Sequence, residues 1–167
     1  FDNWATTLNI RTDDNNLIGS NDSYKFGIIR QDILPNLNVK FNHAKGFKNP
    51  SLYEMFGADN YGYKGNMDLT AENSILNEVT LDYGIDNSKY SLTLFRNEIT
   101  NMIEYSYPTY KNNNTDSLDQ SGIELSYAYK GDKNNFTIWA NSLSSEKSNN
   151  SAQLRRPEQS IGLNYER

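Results

Sequence analysis

The chain has 167 residues, enough for one domain, of which 36% are hydrophobic and 22% charged, with a formal net charge of −5 and a mean hydropathy of −0.81. No apolar run approaches the ~18 residues that a membrane-crossing helix needs. Cysteine is absent, which excludes disulfides, thiolate metal sites and a cysteine nucleophile, and no basic cluster beyond Arg155-Arg156 offers a nucleic-acid surface. A β-barrel wall remains open, because only every second residue of a membrane strand has to meet lipid.

In chain order, stretches of about ten residues with alternating polarity recur from end to end. The first strand is expected over about Asp2 to Arg11, with Trp4, Leu8 and Ile10 on one face. The second, about Ser23 to Asp32, sets Tyr24, Phe26 and Ile28 against Lys25, Gly27 and Gln31. The third, about Leu37 to Ala44, sets Leu37, Val39 and Phe41 against Asn38, Lys40 and Asn42. One short helix follows over Ser51 to Phe56, with Asn49 as its cap, Pro50 in the first helical position and Gly57 closing it. The fourth strand, about Ser74 to Gly84, sets Val79, Leu81 and Tyr83 against Glu78, Thr80 and Asp82. The fifth starts near Tyr90 and reads through to Ile103. Its apolar phase switches from Leu92 and Leu94 to odd-numbered positions, which predicts a bulge near Phe95. The sixth, about Gly122 to Lys130, sets Ile123, Leu125, Tyr127 and Tyr129 against Glu124, Ser126 and Ala128. The seventh, about Phe136 to Leu143, has no clear phase. The eighth begins near Gln159 with Ile161, Leu163 and Tyr165 on one face.

The connections alternate in length. Tight ones centre on Leu34-Pro35-Asn36, Asp86-Asn87-Ser88 and Gly131-Asp132-Lys133, and long ones are expected over Thr12 to Ser23, Gly46 to Asn73, Tyr105 to Asp119 and Ser144 to Pro157. Short turns at one end and long loops at the other are the pattern of an outer-membrane barrel wall. All four prolines fall in connections, where no ladder donor is needed. The 12 tyrosines suit a membrane–water boundary, where the ring is buried and the hydroxyl stays wet. The fold class expected is therefore all-β: an antiparallel up-and-down meander of about eight strands, part of a large barrel and open as a piece. Both ends fall inside alternating runs, so residues 1–167 are expected to be an internal, partial barrel domain.

Several segments carry a family resemblance. Gly46-Phe47-Lys48-Asn49-Pro50-Ser51-Leu52-Tyr53-Glu54-Met55-Phe56-Gly57 resembles a segment of TonB-dependent outer-membrane receptors in which a barrel strand ends in a short loop helix. Gly65-Asn66-Met67-Asp68-Leu69-Thr70-Ala71-Glu72-Asn73-Ser74 resembles the Gly-Asn-x-x-Leu-x-x-Glu-x-Ser that follows. Leu94-Phe95-Arg96-Asn97-Glu98-Ile99, Gly122-Ile123-Glu124-Leu125 and Leu154-Arg155-Arg156-Pro157 are similar to three further segments, in the family's order. Arg11-Thr12-Asp13-Asp14-Asn15 with Gly19 resembles the vitamin B12 receptor subgroup.

The resemblance implies a barrel of ~22 strands closed by a plug, in the outer membrane of a Gram-negative bacterium. It implies uptake of a scarce small molecule such as cobalamin, a ferric siderophore or haem, driven through TonB. The partners it implies are outer-membrane lipid, the plug, the remaining strands and TonB, with no nucleic acid. No cofactor, metal site or enzymatic constellation is expected. Asp13-Asp14 and Asp59 lack calcium-loop spacing, and His43 is the only histidine, expected in the wall near the outer rim. Candidate ligand contacts lie in the long loops: Tyr53, Phe56, Tyr61 and Tyr63 in one, Tyr105, Tyr107 and Tyr110 in another, and Arg155 and Arg156 in a third. Rigid rings supply contact area at low entropic cost, and paired arginines grip anions. Two alternatives stay open on the residues alone: a small eight-stranded barrel serving as adhesin or anchor, and a soluble all-β binding domain.

Overall fold

The computed structural model describes residues 3–115, 117–147 and 157–167. Its elements are β1 (Trp4–Asn15), β2 (Gly19–Leu34), β3 (Leu37–Lys48), α1 (Leu52–Phe56), β4 (Glu72–Ile85), β5 (Ser88–Thr100), β6 (Ile103–Ser106), β7 (Lys111–Asn114), β8 (Leu118–Lys130), β9 (Asn135–Lys147) and β10 (Gln159–Glu166). Eight strands form one antiparallel sheet in the order β1-β2-β3-β4-β5-β8-β9-β10, and β6 pairs with β7 as a separate ribbon. With the ribbon set aside, every strand pairs with its neighbour in the chain. The sheet is open, with β1 and β10 at opposite edges, so the reading of a small closed barrel finds no support in this pairing.

Short turns gather at one end. Pro35-Asn36 joins β2 to β3 and Asp86-Asn87 joins β4 to β5. Asn36 and Asp86 take left-handed φ values of 65° and 48°, a region that Asn and Asp tolerate through their short polar side chains. The opposite end carries the segment 49–71 with α1, and the segment 101–117 with the ribbon.

The structure corrects four local expectations. The expected long loop over Thr12 to Ser23 is mostly strand: β1 and β2 stay paired up to Asn15 and Gly19. That hairpin is supported by a Thr12–Asp22 hydrogen bond of 2.8 Å and by the left-handed φ of Gly19. No bulge interrupts β5 at Phe95, where the register with β4 and β8 runs unbroken. A register shift lies instead between Arg30 and Leu34 of β2, with Asp32 in a left-handed conformation and its N–H donating to Asn38 Oδ1. The helix cap is Ser51 rather than Asn49, in a reciprocal box with Glu54, so Pro50 precedes the cap. Finally, the loop after β5 holds strands of its own. The last long connection, beyond Lys147, lies largely outside the described residues.

The two faces of the sheet differ in chemistry. On one, Phe41, Val79, Leu94 and Ile123 stand side by side across four strands, as do Val39, Leu81, Leu92, Leu125, Ala140 and Ile161. Leu81, Leu125 and Leu163 on this face are exposed rather than gathered in a dry centre, which argues against a soluble sandwich. Toward the short turns the same face carries a row of rings. Tyr83–Tyr90, Tyr90–Tyr127 and Tyr127–Phe136 have centroids 6.4, 4.9 and 5.6 Å apart. Toward the long loops it turns polar. The Tyr24 hydroxyl lies 3.1 Å from His43 Nε2, His43 Nδ1 lies 2.8 Å from Asn77 Oδ1, and Arg96 pairs with Asp119 at 2.5 Å. An apolar band between an aromatic row and a polar row is what a bilayer selects on a barrel's outer surface.

The other face is polar. Lys40 pairs with Asp82 at 2.5 Å, Asn42 donates to Glu78, Thr80 bonds Thr93, and Ser160 donates to Asn141. Asp82 is buried, and also receives a hydrogen bond from Ser91 and faces Lys89. Two rings lie close against glycines here: Phe95 against Gly122 and Trp139 against Gly162. Among the described residues the buried apolar side chains are Met55, Tyr63, Leu69, Ala71 and Leu118. All belong to the long-loop end, so the packed core of this chain is in its loops and not between its strands.

Candidate functional site

The candidate site is built where the 49–71 loop meets the β6–β7 ribbon. Helix α1 starts it. The C-terminal end of α1 turns back under tight backbone contacts: the Gly57 N–H donates to Tyr53 O at 2.8 Å, Gly65 N–H to Gly57 O at 2.7 Å, and Asn66 N–H to Glu54 O at 2.9 Å. A Cβ on Gly65 would stand 2.3 Å from the Met55 carbonyl oxygen, so only glycine fits this approach. Asp59 organises the tip, its Oδ1 accepting from the N–H groups of Tyr61 and Tyr63 at 2.8 and 3.0 Å. That carboxylate is thereby occupied with loop folding. Asp13 is likewise paired, with Arg11 at 2.7 Å, and among the described residues no three acidic or histidine side chains gather to hold a metal.

Asparagines then join loop to ribbon. Asn66 Nδ2 donates to Asn112 O at 2.8 Å. The Asn114 amide behaves as an extra strand residue: it accepts from Thr70 N–H at 2.8 Å and donates to Thr70 O and Asn101 O. Lys64 N–H donates to Tyr110 O at 3.0 Å. Below them Glu72, at the start of β4, accepts from Ile103 N–H at 2.7 Å and pairs with Lys48. Glu104 of the ribbon pairs with Lys147 of β9. The Gly-Asn-x-x-Leu-x-x-Glu segment thus reads physically as a close-approach glycine, a bridging amide, the buried Leu69 and a carboxylate that clips the ribbon to the wall.

This frame brings together aromatics that sit about fifty residues apart in sequence. Tyr53 stacks on Tyr63 at 4.8 Å with planes 4° apart, and Tyr63 meets Tyr105 at 6.2 Å. Tyr105 meets Tyr107 edge-on at 5.7 Å, and Tyr107 meets Tyr110 at 6.3 Å. The candidates Tyr53, Tyr63, Tyr105, Tyr107 and Tyr110 therefore form one chain of rings. Among the described residues Phe56 and Tyr61 make no ring contact; both are exposed, Tyr61 to 90%. Arg155 and Arg156 lie outside the described residues. Tyr63 is 8% exposed, its hydroxyl accepting from Asn112 Nδ2 at 3.0 Å and lying within 3.4 Å of the Tyr53 and Glu54 carbonyls. Burial pushes its hydroxyl above the usual tyrosine range, and neighbouring Tyr53 adds to the shift. Desolvation and then Tyr107 raise Tyr105 too. Sequence reasoning found the rings but gave no role to Asn66, present only as a letter of the Gly-Asn-x-x-Leu-x-x-Glu segment, and missed Asn112 and Asn114, whose signal was an asparagine-rich run, Asn112-Asn113-Asn114.

The chemistry on offer is stacking area backed by amides, with no nucleophile or acid–base pair among the rings. Comparison with known proteins gives the setting. Residues 1–167 match the family model described as TonB dependent receptor-like, beta-barrel. The vitamin B12 transporter BtuB of Vibrio cholerae is 29% identical over 107 residues, covering 64% of this chain and 16% of that protein. The ferrienterobactin receptor of Escherichia coli is 30% identical over 120 residues, again 64% of this chain and 16% of that one. The siderophore receptor PirA of Acinetobacter baumannii superposes with a TM-score of 0.83 at 21% identity, over 98% of this chain and 29% of its own, which speaks for the fold. The chain spans about a sixth of the length of these curated relatives.

Proposed function

Because this chain belongs to the TonB-dependent receptor-like β-barrel family of the Gram-negative outer membrane, we propose that it is a wall-and-loop segment of a receptor that captures a scarce nutrient outside the cell and imports it with energy delivered through TonB. On this reading residues 1–167 form part of a barrel domain, and the parent protein supplies the plug, the remaining strands and the TonB contact. The apolar face meets outer-membrane lipid and the polar face lines the lumen. The chain acts by binding and guiding, not by catalysis.

The observation that carries the ligand-binding reading is the joining of two loops' aromatics into one exposed ring surface at the long-loop end. Tyr53, Phe56, Tyr61, Tyr105, Tyr107 and Tyr110 are the proposed contacts, with Arg155 and Arg156 proposed as cations on the last long loop. Cobalamin, catecholate ferric siderophores and haem present flat or aromatic surfaces that such rings can stack against. Relatives named for vitamin B12 and for ferrienterobactin match at nearly equal identity, so the reading keeps cobalamin and ferric siderophores side by side, and haem stays a further candidate of the same proposal.

The test uses the full-length parent in a strain stripped of its own cobalamin and siderophore receptors. Growth on limiting cyanocobalamin, ferric siderophore or haem is expected to be restored for one class and lost again when TonB is deleted. Restoration independent of TonB, or no binding of any of the three by the purified receptor, overturns the proposal.

A further inference from the structure

We propose that Tyr63 is a positioning residue: it backs a platform built from two loops and sets the rings that meet the ligand, without touching the ligand itself. This rests on the ligand-binding reading above. Tyr63 is the buried member of an otherwise exposed set, at 8% exposure against 46% for Tyr105 and 77% for Tyr107. Its ring contacts both Tyr53 from α1, at 4.8 Å, and Tyr105 from β6, at 6.2 Å, so two different loops share it as a common wall.

Its polar end makes a second link between the same loops. The hydroxyl accepts from Asn112 of β7 and points at the Tyr53 and Glu54 carbonyls at the end of α1. The backbone is pinned too, by Asp59 on one side and by the Lys64–Tyr110 hydrogen bond next in sequence. A residue held by two ring contacts, by its hydroxyl and by its N–H has little freedom to adapt to a ligand. It has every feature needed to fix its neighbours. Tyr53 and Tyr105 are then ordered before the ligand arrives, and ordering costs that are met in advance raise affinity without any new contact.

The experiment uses the full-length receptor with Tyr63→Leu, Tyr63→Phe and Tyr107→Ala, with cyanocobalamin, a ferric tris-catecholate complex and haemin as probes. Affinity is measured by calorimetry, amide exchange is followed at Lys111 to Asn114, and near-ultraviolet circular dichroism reports the stacked rings. Tyr63→Leu is expected to weaken the bound probe at least tenfold, to speed exchange in the ribbon at least tenfold and to remove the ring signal. Tyr63→Phe keeps the stack, so its affinity is expected within threefold of wild type while exchange at Asn112 still rises. Tyr107→Ala is expected to weaken binding with ribbon exchange unchanged. Unchanged ribbon exchange in Tyr63→Leu overturns the proposal. So does affinity that responds to Tyr107→Ala but not to Tyr63→Leu, which sinks the positioning role alone. If none of the three probes binds, or Tyr107→Ala leaves the affinity of every bound probe unchanged, the ligand-contact reading falls and takes the proposal with it.

Discussion

The ring of Phe95 lies across Gly122 on the neighbouring strand, so closely that a Cβ at that glycine would stand 2.6 Å from the ring and 2.7 Å from the Ser142 carbonyl oxygen. Trp139 covers Gly162 in the same way, at 2.4 Å, but there the nearest atoms all belong to the indole. The two pairs predict different rescues. Gly122→Ala and Gly162→Ala should each destabilise by about 1–3 kcal/mol, the usual cost of overpacking. Trp139→Leu should recover Gly162→Ala almost fully. Phe95→Leu should recover Gly122→Ala only in part, because the Ser142 backbone remains in the way. Denaturant unfolding of the receptor in detergent, read as a double-mutant cycle, checks both.

The same pair explains where the sequence was legible and where it was not. The strand faces followed from period-two alternation, and Leu81, Leu92 and Leu125 do stand in one row. The fifth strand misled because Phe95 and Ile99 are apolar yet lie on the lumenal side, while Arg96 and Glu98 take the outward side above the apolar band. An apparent phase switch therefore marked the band's upper edge, not a bulge. The β1–β2 hairpin was hidden for a related reason. Thr12, Asp13 and Asp22 read as loop by composition, but the cross-strand Thr12–Asp22 hydrogen bond, with the Arg11–Asp13 pair along β1, carries the ladder well into water. For the candidate site, the loop tyrosines were visible as residues. Their meeting was not, because it depends on asparagine amides bridging segments 44 to 49 positions apart, and such pairs leave no periodic trace.

Asp82 holds Lys40, Lys89 and Ser91 on the lumenal face. Asp82→Ala leaves two ammonium groups close together with their shared anion gone. It should cost about 2–4 kcal/mol, toward the range for breaking a buried pair. Lys89→Met removes the longer, more exposed contact at 3.5 Å and should cost less than about 1 kcal/mol. Equal losses in thermal unfolding would show that Asp82 is not the hub.

Asn114 replaces a missing strand partner for Thr70 with two hydrogen bonds and adds a third to Asn101. Asn114→Ala should lower loop stability by about 0.5–1.5 kcal/mol, the net worth of hydrogen bonds at an exposed site whose freed backbone groups return to water. Asn114→Asp keeps the acceptor and loses both donor bonds, so it should fall between wild type and alanine. Limited proteolysis within segments 57–68 and 106–111 should rank the variants in that order.

Tyr63 gives the loops a pH limit. Burial favours its neutral form and raises its folded pKa above the usual value of 10.0. In the unfolded loop the same hydroxyl ionises near 10.0, so above that pH the folded state holds more protons, and stability falls with rising pH. The stabilisation is complete below about pH 10 and is lost as the pH climbs toward the raised value. Tyrosinate absorbance should show late titration from both Tyr63 and Tyr105, and the Tyr63 share should disappear in Tyr63→Phe. Unchanged late absorbance in that variant would show that Tyr63 is not one of the late rings.

The orientation of the wall has the sharpest consequence. Leu125 and Ser126 are adjacent in β8, yet the alternation of the strand points them to opposite faces. Leu125 aligns with Leu92, Leu81 and Ala140 in the apolar band, where an arginine has to reach past hydrocarbon for water. Leu125→Arg should therefore cost about 2–4 kcal/mol, the penalty near the middle of an outer-membrane bilayer. Ser126→Arg enters a polar lumen beside Trp139 and Ser91 and should cost about 1 kcal/mol or less, as for a surface change. Reversible unfolding from lipid vesicles measures both. The asymmetry should vanish when Arg replaces residues outside the band, such as Asn77 and Glu78. Equal penalties at Leu125 and Ser126 would mean that the band does not face lipid, and the importer reading would lose its physical footing.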